Sequence, residues 1–411
     1  MSAFRPADIL LPTPGTDLAK WAVIACDQFT SEPEYWDGLD RWIGDSPSTL
    51  RMILPEAYLD RQGEATIASI NRTMEEYLRK GILQDAGPCM ILVERKTPFV
   101  ERRLGLVLSV DLEAYSYEPG SHPEIRATEQ TVASRIPPRV KIRERAPIEL
   151  PHVLLLINDR KERIIETLYA QRAKLEKVYD FELNLNGGHL RGWKITDVAP
   201  VLARFASLAG KDYSREVYKD PDAGLLGLIG DGNHSLASAK AHWDHLKQSL
   251  SPDLRETHPA RYALAEVENI YDEGLRFEPI HRVVFHAGPD FLPGLLSLQE
   301  GEYPAFVLTP SGRIPLRLPR LAPLAIRLVQ EYIDAYAKAH PQTAVDYVHG
   351  LDHLEAVCRK DASALGITLP PLAKEDLFPY VLKEGVLPRK SFSMGEAVEK
   401  RYYFEGHKIT R

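Results

Sequence analysis

The polar residues with the clearest chemical potential lie in one short turn, residues 230–235, with the sequence Gly-Asp-Gly-Asn-His-Ser. Gly230 and Gly232 allow a sharp turn and a close backbone approach to another group. Asp231 between them is suited to hold a divalent cation or to act as a general base. His234 is suited to hydrogen bonding as a neutral ring, because a helix N-terminus disfavours its charged form. These residue types predict a small anion-binding site.

The sequence around this turn predicts the elements that position it. Apolar residues 225–229 are typical of a buried strand, and the small and apolar residues from Leu236 onward favour a helix that begins near Asn233 or His234. A helix N-terminus after a tight turn directs backbone N–H groups and the positive dipole end at one point, where phosphate binds. The alternative is that Asp231 or Asn233 only caps the helix and His234 is a structural histidine. The turn matches neither Walker A nor G-x-G-x-x-G.

A second candidate follows the first apolar run of the chain. Residues 21–26 are typical of a buried strand, and Asp27 comes directly after them. Polar groups at the end of a strand commonly serve a site in α/β folds. Pro33 then suits the first turn of a helix. The alternative is that Asp27 or Ser31 caps that helix.

A segment dense in charge, residues 126–149, leads into the apolar run 152–157. Pro137 and Pro138 prevent one long helix in this segment. Such a charge cluster is ordinarily a solvated face. Its arginines, Arg126 and Arg143 among them, are alternatively suited to anion contacts, because the guanidinium fork matches phosphate and carboxylate oxygens.

Composition limits the class of protein. The chain has 411 residues, of which 44% are hydrophobic and 27% charged, as in an ordinary globular protein. A net charge of −7 disfavours a nucleic-acid-binding or acidic-membrane-binding role. The chain contains no apolar run of bilayer-spanning length, and its first residues lack the apolar core of a signal peptide. The three cysteines are far apart, which favours a reducing environment and predicts a cytoplasmic location.

Alternating strand and helix patterns predict a mixed α/β fold, with a compact mixed sheet flanked by helices. We expect an α/β core at residues 1–286, which contains the glycine turn, and a smaller α/β section at 287–411. The tail of that section, residues 387–411, is expected to return to the core. Residues 278–285 form a predicted strand that carries His281 and Arg282. Neighbours on a strand face opposite sides, so at most one of the two faces a site.

Five of these segments together resemble the bacterial and archaeal domain-of-unknown-function family numbered 1015. They are Cys26-Asp27-Gln28, Ala127-Thr128-Glu129-Gln130-Thr131, Gly230-Asp231-Gly232-Asn233-His234, Pro279-Ile280-His281-Arg282 and Leu387-Pro388-Arg389-Lys390-Ser391. The resemblance spans nearly the whole chain in the same order. The family name carries no activity.

The central turn is also similar to one in the superfamily of chromosome-partitioning protein B, sulfiredoxin and free-serine kinases. The 1015 family usually has Asp-Gly-His-His-Arg at this turn, and the superfamily turn that this pattern resembles holds nucleotide phosphates. In this chain Asn233 replaces the first His and Ser235 stands in the place of the Arg. The missing Arg removes a bidentate phosphate contact. The resemblance then requires either another cation or a different ligand.

These observations lead to a functional prediction with two alternatives. The prediction is a small-molecule phosphotransferase, a kinase of a free amino acid or hydroxyl compound, which uses ATP, ADP or pyrophosphate with Mg²⁺. The alternatives are a nucleotide- or anion-binding regulatory protein without turnover, and a metal-assisted hydrolase. The predicted catalytic residues are Asp231, His234, Glu129 and Asp27, with Asp231 as the metal ligand. The predicted phosphate or ligand contacts are Gly230, Gly232, Asn233, Ser235, Thr131, Arg126, Arg143, His281, Arg282 and Lys390. The sequence leaves the oligomeric state open.

Overall fold

The structure is a computed structural model, which describes residues 2–61, 63–118, 120–298 and 301–411. The chain forms two compact units. The first comprises Met1–Ala127, Thr131–Leu275 and Glu396–Arg411, and the second comprises Thr128–Gln130 and Arg276–Gly395. The predicted mixed α/β class, with a mixed sheet and flanking helices, is confirmed.

The helices of the described chain, in order, are α1 (Leu18–Trp21), α2 (Pro33–Ile43), α3 (Glu64–Arg79), α4 (Ile136–Arg143), α5 (Ile165–Ala170), α6 (Ala199–Leu208), α7 (Lys211–Tyr218), α8 (Asn233–Leu246), α9 (Pro252–Thr257), α10 (Phe291–Ser297), α11 (Ala322–Ala339), α12 (Leu351–Lys360) and α13 (Lys374–Glu384). Short 3₁₀ turns lie between several of them. None of the helices in the described ranges combines the length and apolar character needed to cross a bilayer.

The strands are β1 (Phe4–Arg5), β2 (Ala7–Pro12), β3 (Val23–Ile24), β4 (Leu83–Lys96), β5 (Arg103–Asp111), β6 (Tyr115–Ser116), β7 (Ile125–Ala127), β8 (Ile148–Glu149), β9 (Leu154–Ile157), β10 (Glu176–Leu183), β11 (Gly188–Ile195), β12 (Gly227–Asp231), β13 (Tyr262–Asn269), β14 (Phe277–Phe285), β15 (Tyr303–Thr309), β16 (Gly312–Leu318), β17 (Ala344–His349), β18 (Leu365–Ile367), β19 (Phe392–Met394), β20 (Tyr402–Tyr403) and β21 (Gly406–Lys408).

The first unit is built on one large mixed sheet, in the order β6-β7-β12-β9-β13-β5-β4-β2-β21-β8. Strand β1 pairs with β5, and the β10–β11 hairpin extends from β4. Strand β12 is parallel to β7 and antiparallel to β9, which in turn is parallel to β13. Every residue of β5 and β9 is buried, as expected for central strands that are covered on both faces. Strand β12 is thus an internal strand of the sheet, paired on both sides, and its end leads to the glycine turn.

The second unit contains a smaller sheet in the order β16-β15-β18-β14-β17, with β19 paired to β14. These strands pair antiparallel throughout the described part of the sheet. The strand predicted at 278–285 is confirmed as β14. The segment Thr128–Gln130 belongs to this unit, through an isolated parallel bridge between Glu129 and Leu387.

Local predictions around the turn and near the N-terminus are confirmed in part. Helix α8 begins at Asn233 as predicted, whereas the strand predicted at 225–229 spans Gly227–Asp231, so Gly230 and Asp231 end the strand and Gly232 alone makes the turn. The run 21–26 is strand only at Val23–Ile24, because Trp21 ends α1, whose N-cap Asp17 accepts a bond from Lys20 N–H. Pro33 does start α2, but the N-cap is Glu32 and no side chain caps that helix. The prediction that Asp27 or Ser31 caps it is wrong.

Candidate functional site

The glycine turn joins the centre of the large sheet to the start of α8. Gly232 is the N-cap residue, in the left-handed region at φ 80°, and no side chain caps this helix of 14 residues. A Cβ atom on Gly232 would lie only 3.0 Å from the Cα atom of Val153. Glycine is needed here for both reasons, since other residues disfavour positive φ and would clash with Val153. The capping alternative for Asp231 and Asn233 is wrong, and the N-terminus of α8 keeps its positive end uncapped.

Asp231 forms an ion pair that the sequence did not indicate. Its Oδ2 atom lies 3.2 Å from the Nζ atom of Lys400, and its Oδ1 atom accepts a bond of 2.9 Å from the N–H of Gly232. Burial alone would raise the pKa of Asp231, but the charge of Lys400, the neighbouring His152 ring and the Gly232 N–H outweigh burial and lower it. A carboxylate and an ammonium group therefore stand together, both ionised, beside the uncapped helix start.

The residues before α4 reach the first turn of α8. The N–H of Val132 donates to the Nε2 atom of His234 at 3.2 Å, so this ring nitrogen acts as an acceptor. The side-chain oxygens of Thr131 and Asn233 are buried and have no hydrogen-bond partner among the described residues. Buried polar atoms are nearly always bonded, so these two oxygens are exceptions. The ligand-binding roles of Thr131 and Asn233 stay predictions. Ser235 lies half-buried in the same helical turn.

A second set of side chains, centred on the Tyr403 hydroxyl, includes His152, whose ring lies close to Gly232. The hydroxyl of Tyr403 lies 2.7 Å from the Nδ1 atom of His152 and 3.1 Å from the sulfur of Cys26, and accepts a bond of 3.2 Å from the Cys26 N–H. Burial and the neighbouring Asp27 charge raise the pKa of the Cys26 thiol to about 12, so the sulfur stays protonated. Asp27 itself accepts a bond of 2.9 Å from Gln28 Nε2.

Lys400, His152 and Tyr403 were missed by the sequence analysis. Lys400 and Tyr403 lie in the tail segment 396–411, which returns to the first unit but carries no motif. His152 directly precedes a buried strand and was counted as part of its apolar run. The one sequence feature that could have indicated these residues is the presence of polar side chains within otherwise apolar segments.

The two arginines predicted from the charged segment have other partners in the first unit. Arg126 donates to the backbone carbonyls of Pro123 and Ala223, at 3.1 and 3.4 Å, and burial lowers its pKa. Arg143 forms an ion pair with Glu149, and its Nε and Nη2 atoms are buried without a hydrogen-bond partner among the described residues. None of the contacts in the described part of the chain joins either side chain to the glycine turn. Their phosphate role stays a prediction.

Glu149 gives this region a measurable pH dependence. Burial alone would raise its pKa, but Arg143, His407 and the N–H of Leu264 lower it from 4.5 to about 2. A depressed folded-state pKa stabilises the protein fully above about pH 5, and the stabilisation is lost as the pH falls through 4.5 toward 2. The shift corresponds to roughly 3 kcal/mol. We expect the unfolding free energy of Glu149→Gln to lie below that of the wild type near pH 7, and the difference to shrink toward pH 3.

Urea unfolding at several pH values measures this difference. The matched control is Glu144→Gln, which removes an exposed carboxylate from the same segment and should change little at any pH. A deficit of Glu149→Gln that stayed constant from pH 7 to pH 3 would contradict the assignment.

Three other predicted residues, Glu129, Arg282 and Lys390, are brought together in the second unit. The carboxylate of Glu129 accepts bonds from the backbone N–H groups of Lys390 and Ser391, at 3.0 and 2.9 Å. Burial raises the pKa of Glu129, against the effect of these two N–H groups. Arg282 donates to the carbonyls of Ile280 and Lys390, at 2.8 and 2.9 Å. These contacts hold the loop 387–391 in place.

Arg282 and His281 face different neighbours, as the strand alternation predicted. The Nε atom of Arg282 donates to Gln330 at 2.8 Å, and its guanidinium lies over the Tyr347 ring, 4.8 Å from the centroid. The Nδ1 atom of His281 accepts a bond of 3.2 Å from the N–H of Leu369. Burial and the Arg282 charge lower the pKa of His281 to about 4, so its ring is neutral. Their ligand-binding roles, like that of Lys390, stay predictions.

A metal ion at Asp231 would find few protein ligands. Across the described ranges, no three His, Cys, Asp or Glu side chains cluster as a metal cage would require. Mg²⁺ is usually held by one or two carboxylates together with phosphate oxygens and water, rather than by an all-protein cage. The ionised Asp231 beside the N-terminus of α8 fits that mode of binding and fits no metal that needs more protein ligands.

Comparison with known proteins confirms the resemblance seen in the sequence. Residues 10–297 match the family described as Protein of unknown function (DUF1015). No curated protein matches the chain in sequence. Similar solved structures include a conserved hypothetical protein from Pyrococcus furiosus, with 11% identity, a TM-score of 0.36, and coverage of 74% of this chain and 95% of that one.

Two further solved structures are similar to this chain at the same low level of identity. One is a free serine kinase in complex with AMP, with 9% identity, a TM-score of 0.37, and coverage of 74% of this chain and 91% of that chain. The other is SbnI with C-terminal truncation from Staphylococcus aureus, with 10% identity, a TM-score of 0.38, and coverage of 70% and 82%. The expected similarity to a free-serine kinase is therefore found.

Proposed function

We propose that this chain, which belongs to the DUF1015 family of proteins of unknown function, is a small-molecule phosphotransferase. It binds the phosphates of ATP, ADP or pyrophosphate at the start of α8 and transfers a phosphoryl group to a free amino acid or other hydroxyl compound. The observation that carries the proposal is the ionised Asp231–Lys400 pair, 3.2 Å apart, beside a helix N-terminus without a side-chain cap.

The first argument concerns charge. Phosphoryl transfer depends mainly on positioning and on neutralising the charge of the phosphate oxygens. The N-terminus of α8 supplies backbone N–H groups and the positive dipole end, and Lys400 supplies a full positive charge. Asp231 would hold Mg²⁺, which supplies further neutralisation when it is bound between phosphate oxygens. Both signs of charge are needed at such a site, and both are present.

The second argument concerns the missing arginine of the superfamily pattern. Ser235 stands in its place and offers only a hydroxyl group. Lys400, which reaches the turn from the C-terminal tail, supplies a cation to the same turn. A lysine is a point charge rather than a fork, but lysines bind phosphate in other proteins. With Lys400 in place of that arginine, the positive charge at the turn is kept and the geometry of phosphate binding is different.

The third argument concerns the two buried oxygens without partners. A hydroxyl such as that of Thr131 can donate to a phosphate oxygen. The Asn233 side chain can present its amide N–H groups instead of its oxygen, because the two ends of an amide have the same shape. Either group would gain a partner from a phosphate at the turn.

We expect ADP or pyrophosphate, with Mg²⁺, to raise the melting temperature of the protein. A ligand at one hundred times its dissociation constant adds about 2.7 kcal/mol, which corresponds to a few degrees. Differential scanning fluorimetry measures this shift. Lys400→Met should reduce it, whereas Lys247→Met, at the other end of α8, should leave it unchanged. An equal shift in both variants, or none in the wild type with any phosphate compound, would contradict phosphate binding at the turn.

The replacement of the arginine by Ser235 also favours a second candidate, a protein that binds a nucleotide or another anion without turnover. The same ligands would then raise the melting temperature. Long incubation with ATP, ADP or pyrophosphate and a mixture of free amino acids would yield no phosphorylated product. Product detected by mass spectrometry decides in favour of the phosphotransferase.

A further inference from the structure

We propose that His152 is the catalytic base of the glycine-turn site and that Tyr403 is its positioning residue. This inference rests on the proposed phosphotransferase function and names the group that accepts the proton of the acceptor hydroxyl. Neither residue belongs to a motif of the sequence. The argument comes from the orientation of one imidazole ring.

The ring of His152 spans the space between Tyr403 and the glycine turn. Its Nδ1 atom lies 2.7 Å from the Tyr403 hydroxyl. On the other side, its Cδ2 atom would lie 3.4 Å from a Cβ atom placed on Gly232. The Cδ2–Nε2 bond is the ring edge opposite Nδ1, so this edge is the one on the side of the turn. The ring is half-buried and is held at Nδ1 by Tyr403, and in the proposed role its Nε2 atom accepts the proton at this edge.

The contacts of Tyr403 make this nitrogen available as a base. A neutral ring has a lone pair on Nε2 only when Nδ1 carries the proton, and Nδ1–H then needs an acceptor. The hydroxyl oxygen of Tyr403 can accept it, because its own proton can point to the sulfur of Cys26 at 3.1 Å. The N–H of Cys26 fills the remaining lone pair of that oxygen. The protonated thiol thus gives Tyr403 an alternative to donating to His152.

The other candidate bases of the first unit are less well placed. His234 already uses its Nε2 atom to accept the N–H of Val132. Asp231 is ionised, and its pair with Lys400 makes it a poor proton acceptor. General bases must reach the proton with an unoccupied lone pair, and His152 meets this requirement.

Phosphoryl transfer with His152 as the base conserves atoms and charge. The O–H bond of the acceptor breaks, and its proton passes to Nε2 of His152. The oxygen lone pair forms a bond to the terminal phosphorus of the donor. The P–O bond to the leaving phosphate breaks, and its electron pair remains on the leaving oxygen. His152 then releases the proton to solvent, and the net products are a phosphate ester, the shortened donor and one proton.

The first test is chemical modification of the full-length protein with diethyl pyrocarbonate, followed by peptide mass mapping. This reagent acylates the unprotonated nitrogen of an accessible histidine. We expect His152 to react at pH 7.5 at a rate within about tenfold of the exposed His353, while the buried His407 does not react. Pyrophosphate with Mg²⁺ should protect His152 but not His353.

The outcomes separate the two proposals. If His152 reacts and pyrophosphate protects it, both are supported. If His152 does not react, or reacts without protection although pyrophosphate raises the melting temperature, the catalytic role of His152 is overturned and phosphate binding stands. If neither protection nor a thermal shift occurs with any phosphate compound, the proposed function falls and this inference falls with it.

The second test uses variants that keep the fold. His152→Gln should reduce kcat at least a hundredfold with the KM for the phosphate donor unchanged. Tyr403→Phe should reduce kcat about tenfold, again without a change in KM, because it removes the hydroxyl that orients the His152 ring, together with that hydroxyl's two contacts to Cys26. The matched control is Tyr402→Phe, which removes a neighbouring buried hydroxyl that bonds to the carbonyl of Asn184 at 3.2 Å. An equal loss in Tyr402→Phe and Tyr403→Phe, or a raised KM alone, would overturn the positioning role.

Discussion

Asp231→Asn is expected to reduce phosphate transfer by about a hundred- to a thousandfold, which is typical of losing one electrostatic group that acts on the transition state. The asparagine side chain has nearly the same size, so the turn should keep its shape. It loses the negative charge that pairs with Lys400 and that would hold Mg²⁺. Transfer from ATP, ADP or pyrophosphate to a mixture of free hydroxyl amino acids, followed by mass spectrometry of the product, measures the loss.

Two further variants make this prediction specific. Asp244→Asn removes a carboxylate from the same helix, where it pairs with Lys240 and Lys247, and should keep full activity. Asp231→Asn combined with Lys400→Met removes both charges of the pair, which should restore stability without restoring activity. Full activity in Asp231→Asn, or recovery of activity in the double variant, would show that the pair is only structural.

The parts of the site that lie within one local stretch were predictable from the sequence. Strand β12, the turn and helix α8 follow from an apolar run, two glycines and small helix-forming residues. The capping alternative failed because Gly232, rather than a polar residue, occupies the cap position, and because Asp231 turns toward Lys400. Local pattern identifies the element, but the direction of a side chain depends on its partners in three dimensions.

The parts that come from distant segments were not predictable. Lys400 and Asp231 are 169 positions apart, and only the folded chain brings the tail to the turn. Periodicity and motif spacing contain no information about such a pair. The same limit applies to Tyr403 and Cys26. The failed strand prediction at residues 21–26 has a local cause, since Asp17 caps a short helix that ends at Trp21.

The motif residues of the second unit show a different limit. Glu129, Arg282 and the loop 387–391 were grouped by resemblance, and the structure does bring them together. Their contacts are mutual: the carboxylate accepts loop N–H groups, and the guanidinium donates to a loop carbonyl. Residues that form a family signature can thus be fixed by the fold of a loop as well as by a ligand. A stability measurement distinguishes these two roles for Arg282.

Arg282→Met is expected to lower the free energy of unfolding by about 3–5 kcal/mol, as is typical when one partner of a buried charged network is removed. The side chain is fully buried and donates to Gln330, Ile280 and Lys390. Methionine fills similar space but leaves these three acceptors unpaired, each at a cost of about 1–3 kcal/mol. Urea unfolding gives the overall loss, and hydrogen exchange of residues 387–391 reports the local effect.

Arg389→Met is the matched control, because Arg389 also approaches the Tyr347 ring but is about half exposed. Its ion pair with Asp334, at 3.0 Å, lies at the surface, and its loss should cost no more than about 1 kcal/mol. If Arg282 were instead a phosphate ligand, Arg282→Met would weaken the thermal shift with pyrophosphate and leave the stability of the unliganded protein nearly unchanged. A loss of stability below about 1 kcal/mol would therefore contradict the structural role and favour the ligand role. A large loss together with faster exchange at 387–391 would mean that Arg282 acts through contacts within the molecule, by holding the loop 387–391 in place.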